Sequence, residues 1–343
     1  MIALLAGLLG AGCAAGTPLP ESRGEPVGRH EFVATHMATR FRIVIAGGAA
    51  GAAREAAAAA FARIAEIERV ASDYRVDSEV QRLDAHAGLG PGPVSEDLFQ
   101  LLTLAVDVSR RSGGAFDVTV GPFVQLWRRS RRQRALPSER RLAECSGRVG
   151  YRLIDLDPDR RAVELRRPGM RIDLGGIAKG YAVDEALATL RERGFDAALV
   201  DGGGDVAIGA SPGGSGWRIE SRRDLTESGA RFELANAAVA TSGDTQQFVE
   251  IDGRRYSHII DPRTGLGVTH SCAVTVVVSD GERWPAARAD AWASALSVLE
   301  PDRALVLVEE LPGTDAMIID ADGRTRASSG FPSPVDAPDG GDG

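Results

Sequence analysis

The sequence has few cysteines, and none of them lies in a pattern typical of metal binding or thiol chemistry. Its 343 residues contain three, Cys13, Cys145 and Cys272, without a CxxC pair or a Cys/His cluster. A zinc site and a cysteine nucleophile are therefore poorly supported. Cys145 and Cys272 could form one disulfide in an oxidising compartment, or they could remain two buried thiols.

The chain also lacks a surplus of positive charge and a long apolar segment. Its formal net charge is −8, which argues against a general nucleic-acid binder, because such proteins need a positive surface. With 43% hydrophobic and 26% charged residues, the composition is that of a soluble globular protein. It argues against a disordered, collagen-like or multi-span membrane protein. The length suffices for one large domain or two modest ones with a substantial core.

Lysine is almost absent from the chain. Lysine and arginine together number 40, and Lys179 is the one lysine among them. A skewed coding composition would explain the excess of arginine, and the abundance of alanine and glycine fits that explanation. The presence of one lysine nevertheless calls for an explanation, because lysine and arginine differ in shape, hydration and titratability.

The first residues are typical of an export signal. An apolar run from Ile2 to Leu9 ends in Gly10-Ala11-Gly12-Cys13, and it is too short for a membrane-spanning helix, which needs about 20 residues. Small residues before a cysteine resemble a bacterial lipoprotein signal. We therefore expect residues 1–13 to be the signal, with Cys13 as the lipidated residue that anchors the protein to a membrane of the cell envelope, facing the periplasm. Plain export and no export are the alternatives. Residues 14–29 are rich in small and polar residues, which indicates a flexible tether.

Hydrophobic periodicity predicts a mixture of helices and short strands. Helices are predicted at 52–71, at 178–193, at 286–299, at 302–310, and from an N-cap at Ser95 to a stop at Gly113-Gly114. Residues 72–94 are predicted to be mostly loop. Strands are predicted at 32–45, 153–156, 162–165, 171–174, 197–200, 206–209 and 273–278. Hairpins around Asp252-Gly253 and Asp322-Gly323 are predicted to join 248–251 to 255–260 and 317–320 to 324–327.

The order of these elements shows no regular βαβ rhythm. We therefore expect an α+β (mixed α/β) domain over residues 30–328, with largely antiparallel sheets and packed helices. Residues 329–343 are rich in Pro, Gly, Asp and Ser, and they are expected to form a disordered tail.

Four segments combine glycines with acids and other polar residues near predicted strand ends. They are IDLGGIAKGY at 172–181, DGGGD at 201–205, TSGD at 241–244 with YSHIIDPRTG at 256–265, and ADAWASA at 289–295. In the first, two glycines let the backbone approach a ligand, and Lys179 at the start of a helix can meet a phosphate. His258 is crowded by hydroxyls and acids, so it could titrate near neutrality and move protons. Asp290 and Ser294 lie one turn apart on a helix and offer hard oxygen ligands to Mg²⁺. Each segment alone also fits an ordinary turn or a solvated helix face.

Taken together, these segments resemble the ApbE family, the FAD:protein FMN transferases. The resemblance covers roughly residues 30–325 and includes two further segments, SDYRVDSE at 72–79 and GAFDVTVGP at 114–122. One segment could arise by chance, whereas seven in the family's order, counting TSGD and YSHIIDPRTG separately, are highly specific. The resemblance implies an ApbE-like, T-fold-related form of the α+β architecture.

The resemblance also implies a transfer reaction that depends on Mg²⁺. FMN would pass from FAD to a Thr or Ser hydroxyl of an acceptor flavoprotein through a phosphoester bond, and AMP would leave. Such transfer needs positioning and charge neutralisation more than covalent chemistry. The implied acceptors are electron-transfer or quinone-reductase subunits. An FAD pyrophosphatase giving AMP and FMN, and a non-catalytic flavin-binding lipoprotein, are the alternatives.

Individual residues receive roles from the same resemblance. His258 would handle the proton near the acceptor hydroxyl. Mg²⁺ would be held by the backbone carbonyl of Gly176 and the side chains of Asp290 and Ser294, where Ser294 stands in place of the family's usual threonine. The implied FAD contacts are Met37, Tyr74, Ala115, Phe116, Asp117, Asp173, Lys179 and Ile260, the last through its backbone.

Overall fold

The computed structural model describes residues 28–214, 216–220, 231–243, 248–270, 272–279 and 281–335. Cys13 and the predicted signal lie outside the described residues, as do most of the predicted tether and the end of the predicted tail. The α-helices are α1 (Ala50–Ala71), α2 (Glu79–Ala85), α3 (Glu96–Arg111), α4 (Gly121–Gln133), α5 (Glu139–Ser146), α6 (Ala178–Glu192), α7 (Pro285–Val298) and α8 (Pro301–Glu309). The strands are β1 (Arg29–His36), β2 (Thr39–Ala46), β3 (Gly92–Pro93), β4 (Ile154–Asp157), β5 (Ala162–Leu165), β6 (Ala198–Asp201), β7 (Val206–Ile208), β8 (Trp217–Glu220), β9 (Arg231–Leu234), β10 (Ala237–Gly243), β11 (Phe248–Ile251), β12 (Arg254–Ser257), β13 (Ile260–Asp261), β14 (Leu266–Gly267), β15 (Cys272–Ser279), β16 (Thr314–Asp320) and β17 (Thr325–Ala327).

One large sheet organises the domain. Its strands lie in the order β1-β2-β6-β7-β10-β15-β16-β17, and every neighbouring pair is antiparallel. Small two- and three-stranded sheets complete the described β structure. The predicted α+β class with a largely antiparallel sheet is therefore confirmed.

Helices α1, α6 and α7 cover one face of this sheet and form the main core with it. The β8–β9 hairpin packs on the opposite face, where Trp217 joins apolar side chains of the sheet. Helix α7 is rich in alanine and is apolar nearly all round, which is typical of a helix enclosed by its neighbours. Eleven of its fourteen residues are buried. Among the described residues, no helix has both the length and the apolar character that crossing a membrane requires.

Local sequence signals place several of these elements correctly. The Oγ of Ser95 accepts a hydrogen bond from the N–H of Leu98 at 3.3 Å, which makes Ser95 the predicted N-cap of α3. The predicted Asp252-Gly253 turn joins β11 to β12, and both residues have positive φ, at 51° and 72°. This backbone matches the type I′ turn that favours Asp-Gly.

The single strand predicted over 32–45 is wrong, because the structure has a hairpin of β1 and β2 there. Its turn consists of Met37 and Ala38, with φ values of 46° and 58°. Positive φ is uncommon for side chains other than Gly, Asn and Asp. The turn therefore carries none of the residues by which a sequence normally marks a hairpin.

Several other segments also differ from the prediction. The strand predicted over 255–260 ends at Ser257, so residues 258–259 form a loop. Residues 79–85, expected in a loop, form the short helix α2, whose N-cap is Ser78. Residues 171–174, expected as a strand, belong to no strand, and the N–H of Asp173 donates instead to the carbonyl of Val118 at 2.7 Å. The folded domain also extends past residue 328, because Phe331 packs edge-on against Phe232.

Cys145 carries a free thiol. The side chain of Cys272 lies outside the part of the chain that the structure describes. Burial raises the pKa of the Cys145 thiol, which makes it less reactive as a nucleophile at neutral pH. The structure thus gives no support to a catalytic role for Cys145.

Candidate active site

Helices α6 and α7 cross at Gly180. A Cβ atom at Gly180 would lie 2.2 Å from the carbonyl oxygen of Ala286, so the close crossing requires glycine. One turn later, Asp184 accepts hydrogen bonds from the backbone N–H groups of Ala286 and Ala287, at 3.0 and 2.9 Å. These bonds satisfy two of the N–H groups that have no partner within α7 itself. The crossing therefore fixes the start of α7 against α6.

We expect Gly180→Ala to destabilise the protein by about 2–3 kcal/mol, because the added methyl group forces two packed backbones apart. Gly51→Ala in α1 is the matched control, since an added Cβ there meets no other described part of the chain within 4 Å. The control should be neutral or stabilising by up to about 1 kcal/mol, because alanine favours a helix over glycine. Urea unfolding followed by circular dichroism measures both changes, and equal effects would contradict the assigned role of Gly180.

Lys179 lies between two buried carboxylates beside this crossing. Its ammonium donates a hydrogen bond to Asp205 and lies 3.8 Å from Oδ2 of Asp290. The exposed fractions of Asp205 and Asp290 are 3% and 6%. Burial raises the pKa of Asp290, the charge of Asp205 raises it further, and Lys179 opposes both effects. Burial lowers the pKa of Lys179, but the two carboxylates outweigh burial and hold that pKa above its ordinary value. Lys179 is therefore a cation at neutral pH.

Gly176, Asp290 and Ser294 fit the oxygen ligand set predicted for Mg²⁺. A Cβ atom at Gly176 would lie 2.8 Å from Oγ of Ser294, so the turn before α6 and the hydroxyl on α7 are neighbours. Asp290 stands one turn before Ser294 and supplies a carboxylate on the same side of the helix. The described residues contain no group of three or more His, Cys, Asp or Glu side chains suited to a metal ion. A cation here would therefore depend on this mixed set and on water or phosphate oxygens, as Mg²⁺ commonly does.

A cavity of about 290 Å³ gathers most of the predicted site residues. Its walls come from segments that are far apart in the sequence. The predicted residues that line it are Tyr74, Ala115, Phe116, Asp117, Asp173, Gly176, His258, Ile260 and Ser294. Lys179 and Asp290 do not line it, but they adjoin it through Gly176 and Ser294.

His258 lies on the loop between β12 and β13, at the wall of this cavity, and its side chain is exposed. The backbone on either side is held in place. The N–H of Ile259 donates to Oγ of Ser257 at 3.0 Å, and the carbonyl of Ile259 accepts from the N–H of Val268 at 2.9 Å. An accessible imidazole on a fixed backbone is suited to exchanging a proton with a molecule in the cavity.

Comparison with known proteins identifies the family of this chain. The model of the ApbE family matches residues 37–318. The chain belongs to the ApbE family. The resemblance drawn from seven short segments is thereby confirmed.

Relatives within the ApbE family include FAD:protein FMN transferases. The one from Treponema pallidum is 35% identical over 288 residues, which are 79% of this chain and 78% of that protein. The one from Haemophilus influenzae is 32% identical over 272 residues, which are 76% of this chain and 78% of that protein. Among solved structures, a histidine-to-glycine variant of the flavin transferase ApbE from Vibrio cholerae matches with a TM-score of 0.79 and 27% identity, over 89% of this chain and 98% of that one. The apbe protein from Thermotoga maritima matches with a TM-score of 0.79 and 29% identity over the same shares.

The structure places Met37, a predicted FAD contact, in the β1–β2 hairpin. In this member of the ApbE family it occupies the β1–β2 turn and packs against the core, and it does not line the cavity. The same hairpin end reaches the DGGGD segment, because a Cβ atom at Gly203 would lie 2.5 Å from Oγ1 of Thr39. That segment carries Asp205, the partner of Lys179. The hairpin thus contacts the DGGGD loop, which in turn carries a residue of the site.

Arg128 and Arg131 are cavity residues that reasoning from the sequence missed. Both lie on α4 and line the cavity. The guanidinium of Arg128 lies 4.9 Å from the ring centroid of Tyr74 and donates to Oδ2 of Asp73 at 2.5 Å. Tyr74 itself is 79% exposed, so Arg128 covers one face of a ring that is otherwise open. The signal was present as a run of arginines over 128–134, but such runs are usually solvated.

Asp117 lines the cavity, but its carboxylate is used to hold the surrounding backbone. One oxygen accepts from the N–H and the hydroxyl of Thr119, at 2.9 and 2.6 Å, and the other accepts from the N–H of Tyr151 at 2.7 Å. Burial raises the pKa of Asp117, and these hydrogen bonds oppose that rise. Its position supports the shape of the cavity wall.

Asp84 on α2 is a second residue that reasoning from the sequence missed. Its Oδ1 accepts a hydrogen bond from the N–H of Ile172 at 2.9 Å and so holds the segment that leads to Asp173. Burial raises the pKa of Asp84 to about 7, although this hydrogen bond and the charge of Arg171 act to lower it. The folded protein therefore binds this proton more tightly than the unfolded chain does.

We expect the contribution of Asp84 to stability to be complete below about pH 4, its ordinary pKa, and to be lost as the pH rises through about 7. Asp84→Asn keeps an oxygen for Ile172 and carries no charge. The variant should therefore unfold at higher urea than the parent chain at pH 8, and this gain should shrink towards pH 5. A variant that gains nothing at pH 8 would contradict the raised pKa.

Proposed function

We propose that this chain is an FAD:protein FMN transferase that joins FMN to a Thr or Ser hydroxyl of an acceptor protein. The observation that carries the proposal is one cavity where Tyr74, Asp173, Gly176, His258 and Ser294 meet. The ApbE relatives named as FAD:protein FMN transferases add support.

FAD would bind through its flat rings and its charged pyrophosphate. The exposed ring of Tyr74 offers a stacking surface, and Arg128 and Arg131 supply positive charge at the same cavity. Lys179, together with a cation held by Gly176, Asp290 and Ser294, would neutralise the charge of the pyrophosphate. Mg²⁺ bound by these ligands would supply charge stabilisation of the phosphate oxygens.

The proposed reaction breaks the phosphoanhydride bond of FAD and forms a phosphoester bond to the acceptor. The oxygen of the acceptor hydroxyl forms a bond to the FMN-side phosphorus, and the bond from that phosphorus to the AMP oxygen breaks. His258 accepts the proton of the hydroxyl as the bond forms. The products are the FMN–protein phosphoester and AMP, so no oxidant or reductant is needed.

Hydrolysis of FAD to AMP and FMN is the second candidate. The observation that favours it is the exposure of His258, which leaves the proton acceptor open to water. Water would then replace the acceptor hydroxyl in an otherwise identical step. The two reactions share every residue named above, so only their products distinguish them.

A single assay separates these possibilities. The purified chain is mixed with FAD, Mg²⁺ and a candidate acceptor domain, and the acceptor mass and released AMP are measured together. We expect a mass gain equal to one FMN residue, matched by one equivalent of AMP, and loss of both with EDTA or with Asp290→Asn. AMP without an adduct would support hydrolysis. Absence of both AMP and the adduct would indicate a protein that only binds flavin. An acceptor whose target threonine is replaced by alanine is the control.

We also propose that the protein is exported and lipid-anchored at Cys13, and that its acceptors are envelope-facing electron-transfer or quinone-reductase subunits. Support comes from the apolar run and small residues before Cys13. Metabolic labelling with a fatty acid should mark the parent chain and leave Cys13→Ala unmarked. Equal labelling of both would contradict the anchor.

A further inference from the structure

A second cavity, of about 320 Å³, adjoins the first across β13 and the turn after it. Side chains alternate between the two cavities along this segment. Ile260 and Pro262 line the first cavity, whereas Asp261 and Arg263 line the second. Val298, at the end of α7, lines both. The second cavity therefore shares a wall with the candidate active site.

The charges in this second cavity do not cancel. Arg263 is bound to Asp261 by two hydrogen bonds of 2.8 Å, which neutralises both groups. Arg254 donates a hydrogen bond to the hydroxyl of Thr269 at 3.0 Å and lies over the ring of Tyr256.

Arg303 is exposed on α8 and also lines the cavity. Glu300 lies at the rim, 3.8 Å from His270. Among the described residues, neither Arg254 nor Arg303 has a carboxylate within 4 Å. The three guanidinium groups that line the groove thus outnumber the carboxylates of Asp261 and Glu300, in a chain whose net charge is −8.

We propose that this basic groove, defined by Arg254 and Arg303, binds an acidic segment of the acceptor protein that flanks the target hydroxyl. The inference rests on the proposed function, because it assumes that an acceptor hydroxyl enters the first cavity beside His258. Residues 260–263 follow the loop that carries His258 and line both cavities, so the groove is the surface next to a polypeptide whose hydroxyl lies beside His258. Carboxylates on that polypeptide would meet the guanidinium groups of Arg254 and Arg303 in the groove, so the groove selects acidic acceptors.

The test measures peptide binding by the full-length chain, without FAD and without turnover. The probe is a fluorescent synthetic peptide with one threonine followed by a run of aspartates, and its twin carries asparagines instead. We expect the acidic peptide to bind about tenfold more tightly than its twin, because two exposed charge pairs each contribute modestly. The double variant R254E/R303E should lose this preference. R54E/R69E is the matched control, since it makes the same charge change at exposed positions of α1.

The possible outcomes each decide the proposal. Loss of the preference in R254E/R303E alone supports the groove. Equal binding of both peptides by the parent chain, or an equal loss in R54E/R69E, overturns it. If R254E/R303E loses binding to anionic phospholipid vesicles but binds the acidic peptide as the parent chain does, the proposal is overturned and the groove is assigned to a membrane surface. Selective peptide binding without any FMN transfer would refute the proposed function and leave the groove standing.

Discussion

Replacing His258 with alanine is expected to abolish FMN transfer while leaving FAD binding largely intact. The imidazole lines the cavity from an exposed loop, whereas the surfaces proposed to hold FAD, apart from the backbone of Ile260, come from other segments. Loss of a general base commonly lowers a rate by about 10²–10⁴-fold. Mass spectrometry of the acceptor gives the transfer rate, and FAD fluorescence titration gives the dissociation constant.

Two controls make this result specific. Added imidazole should restore part of the transfer by His258→Ala, because the small base can enter the space that the side chain vacates. His86→Ala removes another exposed histidine, which is at the end of α2, and should retain full activity. Unchanged transfer by His258→Ala would refute the role of His258. A loss of FAD affinity that matches the loss of rate would indicate a binding residue instead.

The second large effect is expected at Lys179. Lys179→Ala leaves Asp205 and Asp290 buried beside each other without a cation, and breaking a buried ion pair by removing one partner costs about 3–5 kcal/mol. Urea unfolding at pH 8 measures this loss. The double variant Lys179→Ala with Asp205→Asn removes one of the stranded charges and should recover part of the stability. If Lys179→Ala is as stable as the parent chain, Lys179 does not stabilise the two buried carboxylates.

Lys179→Arg tests the identity of the cation rather than its charge. We expect it to fold and still to use FAD poorly, because a planar guanidinium is larger and less compact than an ammonium between two carboxylates. The measurement is FAD affinity and turnover, with unfolding free energy measured beside them. Unchanged affinity and turnover would mean that the single lysine is an accident of composition.

The fold could be predicted where local physics decides it. Helix α1 follows from apolar residues at helical spacing, and α3 from the N-cap at Ser95. The β1–β2 hairpin could not be predicted, because its turn residues, Met37 and Ala38, adopt a positive φ that neither residue type signals. The apolar alternation of residues 171–174 predicts a strand, but their backbone bonds to Asp84 and Val118 instead of to a neighbouring strand.

The candidate site was predictable as far as it depends on motifs. Nine residues named from the resemblance line one cavity, because family motifs record which segments converge in space. Arg128 and the basic groove lie outside those motifs. Whether an arginine faces solvent or a cavity depends on how its helix or strand packs, and no local pattern around Arg128 or Arg254 encodes that packing.

Because α7 is enclosed by its neighbours, ligand binding at the site is coupled to the stability of the whole domain. Asp290 and Ser294 stand on a helix that packs against the central strands β10 and β15, so they cannot separate from their neighbours unless the core opens. Ligand binding is then linked to global unfolding rather than to local ordering. A ligand at 100 times its dissociation constant would add about 2.7 kcal/mol to the free energy of unfolding. Backbone amides throughout the core, remote from FAD itself, would exchange their protons with solvent more slowly once the cavity is filled.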